Sequence, residues 1–231
     1  MKYDFDFEKV KNSVADLMKS AGGHGLKHAL DVLENAMKIA AGEDGKGADK
    51  NIIALVALLH DVDDYKFFGN SENYGNARRI MADARIAPEV QARVTDGIKT
   101  IGFSKRLKGI VPEFLEAKIV SDADMMDGMN YEQALQRMED YRQGGAVLFD
   151  AKVLPRLNVS AEEYGKRPTV PLVNHIMEKL LRLKDMMLTD AGRAAAEKQH
   201  IFLRGFLRGV FKSHNAAEWN EMLDKQLNLE K

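Results

Sequence analysis

Cysteine is absent from the 231-residue chain. Disulfides and zinc–thiolate sites are therefore excluded, and any metal must be held by His, Asp, Glu or carbonyl oxygen. Proline is scarce: five occur, none before Pro88, so little interrupts a helix. Neither sign of charge dominates, with 34 Lys and Arg against 35 Asp and Glu. A generic basic surface for nucleic acid or acidic lipid is not expected, nor is a sequence-specific nucleic-acid partner. Long hydrophobic runs are missing too. The longest strongly apolar run is residues 52–59, "IIALVALL", far short of a membrane span. The N-terminus, "MKYDFDFEKV", is acidic and aromatic rather than basic then apolar, unlike a signal peptide. These absences lead to the expectation of a cytoplasmic protein with no membrane partner.

What is present is helical spacing. Strand-length alternation is hard to find, whereas Leu26, Leu30, Leu33 and Met37 make one stripe at helical intervals. Leu172, Ile176, Leu180, Leu183 and Met187 make a second, and Phe202, Phe206, Val210 and Phe211 a third. The pattern predicts an all-α chain of roughly nine to eleven helices. Gly/Pro or Gly/Asp clusters at 21–23, 41–50, 67–75, 85–88 and 107–112 mark the breaks. Residues 143–171 hold three of the five prolines. They read either as a linker to an appended helical pair or as a long surface excursion. The amphipathic segment after them needs a partner face and favours the excursion. One domain over 1–231 is expected, with C-terminal helices from about 170 packing on a core of about 20–130.

Chemistry concentrates in three places. His28 lies on the predicted helix 26–41 and shares a face with Val32, Asn35 and Ile39. His60 and Asp61 end the apolar run and are followed by Asp63 and Asp64 in "LLHDVDDYKFFG". "FLEAKIVSDADMMDGM" carries Asp122, Asp124 and Asp127, with Asp124 on the face of Ala117 and Val120 and Asp127 one turn further. Taken singly, each has an ordinary reading as a capped helix end, a core histidine or a solvated face. Together they put an acid or imidazole on a partly apolar face of three helices, and a divalent cation would explain all three. Two imidazoles and two carboxylates suit Mn, Fe, Ni, Co or Mg better than a structural zinc. No histidine lies between His60 and His175, which favours one metal over two. His175 on its Leu/Ile/Met helix, His200 and His214 read as structural. The Arg204, Arg208, Lys212 stripe reads as a solvated face, as Lys179 and Lys184 also can.

The order His, His-Asp, Asp resembles the HD superfamily of metal-dependent phosphohydrolases. "HGLKHALDV" resembles its entry segment, "ALLHDVDDYKF" its doublet and "IVSDADMMDGM" its "DADRLDA" segment, within a subgroup of small bacterial HD-domain hydrolases. The likeness runs on through "IGFSK", "YRQGG" and "VNHIMEKLLRLKDMMLTDAGRAAAEKQH" and so covers most of the chain. It implies an HD-domain helical bundle with additional C-terminal helices. The implied ligands of one divalent ion (Mn, Mg, Fe, Ni, Co or Zn) are His28, His60, Asp61 and Asp124, with Asp122 as the fallback for the last. It further implies hydrolysis of a phosphoester of a nucleotide or other small phosphorylated metabolite by metal-activated water. Asp64 is the candidate general acid/base beside Asp61. Lys99, Lys105, Lys66 and His24 are candidates for meeting the substrate. Two positions depart from the pattern: Asp31 and Met125 stand where relatives carry arginine, each removing a positive charge. An HD-fold sensor or interaction module without fast turnover is the alternative.

Overall fold

The computed structural model describes residues 2–19, 25–42, 45–68, 73–130, 143, 145–157, 159–165 and 170–229, with only the backbone at 65, 66, 165, 228 and 229. No strand occurs among them. The helices up to the third ligand segment are α1 (Phe7–Leu17), α2 (Leu26–Ala40), α3 (Lys50–Leu59), α4 (Tyr65–Phe68), α5 (Gly75–Asp83), α6 (Pro88–Ile98), α7 (Phe103–Leu107) and α8 (Leu115–Met129). Then come α9 (Ala161–Gly165), α10 (Leu172–Glu178), a 3₁₀ segment (Leu180–Met186), α11 (Asp190–Ser213) and α12 (Ala217–Leu229).

Two helices are buried nearly all round, and they are the central ones. In α3 every residue from Ile52 to Leu59 is buried. In α8 burial extends over the whole circumference from Glu116 to Met129, sparing only Lys118 and Asp124. α2 packs against both, and α3 against α8. These three carry the histidines and acids singled out above. A cap fixes the start of α3: Asp49 accepts from Asn51 N at 2.8 Å, and the buried Glu116 of α8 accepts from Asp49 N at 2.9 Å. Arg93 adds a 2.8 Å bond to Glu116 and lies over the Phe114 ring at 4.5 Å.

The C-terminal helices cover the other side of α8, which meets both α11 and the 3₁₀ segment. Residues 147–149 are stitched to them. Leu172 N and Val173 N donate to Val147 O and Leu148 O, each at 3.1 Å. Phe149 packs on Trp219 and Phe211 with ring centroids 4.8 and 5.8 Å away. The 172–187 stripe is buried along its length, but the helix is not continuous. It changes from α to 3₁₀ at Lys179, where φ is −125°. Residues three apart eclipse in a 3₁₀ turn, so Leu180 and Leu183 keep facing inward across the change.

Candidate metal centre

His28 sits in the first turn of α2, on a buried face with Val32, Ala36 and Ile39. His60 is the C-cap of α3, presented by the rigid apolar helix behind it, and its side chain is 2 % exposed. Asp61 follows in the turn, and Asp124 projects from the middle of α8. Three helices thus aim four side chains at one place. His28 Nε2 lies 3.2 Å from His60 Nε2, 3.4 Å from Asp124 Oδ1 and 3.6 Å from Asp61 Oδ2. His60 Nε2 lies 3.6 Å from Asp61 Oδ2 and 3.7 Å from Asp124 Oδ1.

The donor set fits a divalent cation. Atoms bound side by side at about 2.1 Å from one ion lie about 3 Å apart, close to the spacing seen. Ligand atoms of His28, His60 and Asp124 all fall within 4.8 Å of one another. Each imidazole is turned the right way. His60 Nδ1 donates to Ala57 O at 2.8 Å, since a carbonyl can only accept, and this leaves Nε2 inward. His28 Nδ1 lies 2.7 Å from the buried Asp127 Oδ2, again leaving Nε2 inward.

Without a cation the cluster holds a proton. Burial opposes charge on His28, but hydrogen bonds with Asp124 and Asp127 and the charge of Asp61 override it, and its pKa is pushed up to about 10. Burial would raise Asp124, but the hydrogen bond from His28 and the charges of His60 and His28 prevail, holding it down to about 2. Converging carboxylates at a half-buried point are costly unless positive charge meets them. A bound cation supplies that charge.

The remaining predicted residues are dispersed. Asp122 points away from the cluster and is fully buried. It accepts from Leu188 N at 2.9 Å and from Thr189 N and Thr189 Oγ1 at 2.7 Å each. Asp64 does not continue α3: its N–H bonds Asp61 O at 3.0 Å in a turn, and its carbonyl starts α4. The neighbouring Asp63 is buried and accepts from Asn76 N and Ala77 N at 3.0 and 2.9 Å, tying the turn to α5. Lys99 ends α6 with its ammonium 2.8 Å from Asp96, lining a groove of about 1030 Å³ with Arg93, Ile110 and Phe114. Lys105 is half-buried on α7. His24 and the side chain of Lys66 lie outside the described residues. Of the two departures, Asp31 pairs with Lys27 at 2.7 Å and Met125 is buried in the core. His200 is buried, and burial lowers its pKa. Asp127 is the residue to which sequence reasoning gave no role; its spacing of three from Asp124 was the available signal.

The helical architecture and this cluster define an HD-superfamily protein. A Bacillus thuringiensis HD-superfamily hydrolase superposes with a TM-score of 0.67 at 26 % identity, covering 91 % of this chain and 97 % of that one. The chain belongs to the family of Bacillus subtilis YpgQ, to which it is 30 % identical over 212 residues, 89 % of this chain and 92 % of YpgQ. A crystal structure of YpgQ in complex with ADP superposes with a TM-score of 0.67 at 23 % identity, covering 90 % of this chain and 97 % of that one. A Lactobacillus plantarum structure reaches 0.77 at 25 % identity, covering 94 % and 100 %. No family model matches the chain. No helix among the described residues is long and apolar enough to cross a membrane.

Proposed function

We propose that this protein is a metal-dependent phosphohydrolase acting on a phosphoester of a nucleotide or another small phosphorylated metabolite. The observation that carries the reading is the convergence of His28 Nε2, His60 Nε2 and the Asp61 and Asp124 carboxylates from three helices. These four residues would hold one divalent ion, drawn from Mn, Mg, Fe, Ni, Co and Zn. When bound, such an ion acidifies water and neutralises phosphate charge.

The chain's own groups do the rest. Asp61, in the turn after α3, and Asp124, on the buried α8, would bring negative charge to the ion, and the packing of these two helices keeps both from swinging away. Asp64, half-buried three residues beyond Asp61, is the group assigned to exchange a proton with the attacking water or the leaving oxygen. Lys105 and Lys99 are the described cations assigned to phosphate, with Lys66 and His24 as further substrate contacts. ADP in the YpgQ complex supports a nucleotide as the substrate class. Such a substrate places the enzyme in the cytoplasm.

One observation favours a second reading, a slow metal-bound ligand sensor. Asp31 is occupied by Lys27 and Met125 is sunk in the core, so neither replaces the positive charge of the relatives' arginines. A panel of mononucleotides and sugar phosphates with added Mn separates the two. Phosphate release abolished by Asp61→Ala supports the enzyme; release that survives Asp61→Ala refutes the site. Metal binding without release from any panel member supports the sensor.

A further inference from the structure

The two imidazoles of the cluster are supported unequally. His60 Nδ1 donates to the carbonyl of Ala57 in its own helix, a neutral acceptor at 2.8 Å. His28 Nδ1 faces a carboxylate 99 positions further along the chain, Asp127 Oδ2, at 2.7 Å. Asp127 is 1 % exposed and emerges one turn beyond Asp124 on the same helix. A carboxylate buried there is costly unless a partner meets it. Packing alone does not explain it, because Val120 and Ala123 on that face are apolar and the other acid there, Asp124, belongs to the cluster.

We infer that Asp127 is the positioning residue of the metal centre: it fixes His28 in the tautomer that presents Nε2 and makes His28 the stronger of the two nitrogen donors. The inference rests on the metal-site reading above. A hydrogen bond to a carboxylate is stronger and shorter than one to a neutral carbonyl, and it draws Nδ1–H density toward the acceptor. The opposite nitrogen becomes a better electron-pair donor, and the ring loses the freedom to rotate about its Cβ–Cγ bond. One helix thereby supplies both a ligand, Asp124, and the support of another ligand, His28. A shift of α8 along its axis would disturb both together.

The test uses the full-length chain and cobalt(II) alone, followed by its visible absorption in competition with a chelator. Asp127→Asn keeps the shape but offers a neutral oxygen or an amide N–H to Nδ1. It should weaken cobalt binding about 10- to 100-fold, the usual effect of losing such a partner. Asp127→Glu, which restores the charge, should recover part of the loss. An affinity of Asp127→Asn equal to wild type overturns the inference while leaving the metal site standing. Wild-type protein that binds no cobalt overturns both. Nitrogen-15 NMR of the zinc-loaded wild type gives a check that needs no variant. Protonated Nδ1 and metal-bound Nε2 on His28 are expected, and metal on Nδ1 refutes the assignment.

Discussion

Replacing Asp122 by alanine should destabilise the fold while sparing metal binding, and the size can be worked from its contacts. The carboxylate receives Leu188 N at 2.9 Å and Thr189 N and Oγ1 at 2.7 Å, just before α11 begins. Alanine would leave the buried Thr189 N–H without its acceptor, at about 1–3 kcal/mol, and the part-buried Leu188 N–H likewise, at the lower end of that range. The Thr189 hydroxyl keeps its bond from Gly192 N at 3.0 Å and can turn, so it adds little. Against this, burial pushes the Asp122 carboxyl up, and the bonds from Leu188 and Thr189 offset only part of it. Removing the group relieves that desolvation. The net loss should fall near 2–4 kcal/mol, a large share of the ~5–15 kcal/mol of a typical domain. Urea denaturation in EDTA, followed by helical circular dichroism, reads it directly. Asp122→Asn, which keeps one acceptor oxygen, should lose about half as much. The cobalt affinity of the folded variant should match wild type. A variant as stable as wild type that no longer binds metal would refute the reasoning and make Asp122 the ligand.

Other expectations follow from the same geometry. Gly192→Ala should cost about 1–3 kcal/mol by overpacking, because a Cβ there would lie 2.5 Å from Asp122 Oδ2 and 2.8 Å from Thr189 Oγ1. Denaturant melts should show this despite alanine's better helix propensity. His60→Ala and Asp61→Ala should each lose the bound divalent ion, measured as metal content after dialysis; retention of about one ion per chain in either would refute their assignment. The metal-free protein should lose stability as pH rises. His28 has a folded pKa raised to about 10, so its contribution is complete below about 6.5 and fades as pH climbs toward 10. Asp124, lowered to about 2, contributes above its unfolded value near 3.9 and loses that as pH falls toward 2. Urea midpoints in EDTA at pH 6.5 and 9.5 check the first of these, with the higher midpoint expected at pH 6.5.

The helical class and the convergence of the three segments that carry the histidines and acids were legible in the sequence because each rests on local spacing. Faces were read less well. In the α2 stripe Leu33 is buried but Leu26, Leu30 and Met37 are only half-buried, and the rest of the tight interface belongs to His28, Ala29, Val32, Ala36 and Ile39. Small residues permit close helix approach, and hydrophobicity alone does not mark them. In α11 the buried line runs through Ala196, His200, Leu203 and Leu207 to the predicted Val210 and Phe211, leaving Phe202 exposed at 49 %. The roles of Asp122 and Asp124 were beyond local reasoning. They differ by what each meets 66 to 67 or 96 residues away in the chain, Leu188 and Thr189 in one case and His28 in the other. The turn after His60 breaks the helical spacing assumed for Asp64, because its i to i+3 bond to Asp61 O replaces the α-helical one.

The clasp between Asp122 and Leu188–Thr189 also orders events at birth. Its two sides are 66 residues apart in the chain. At about 5–20 residues per second, α8 waits about 3–13 seconds on the ribosome for the segment that locks it. Until then, the helix bearing Asp124 and Asp127 has one flank bare. A metal seat built on Asp124 would become rigid only after Leu188 and Thr189 have emerged.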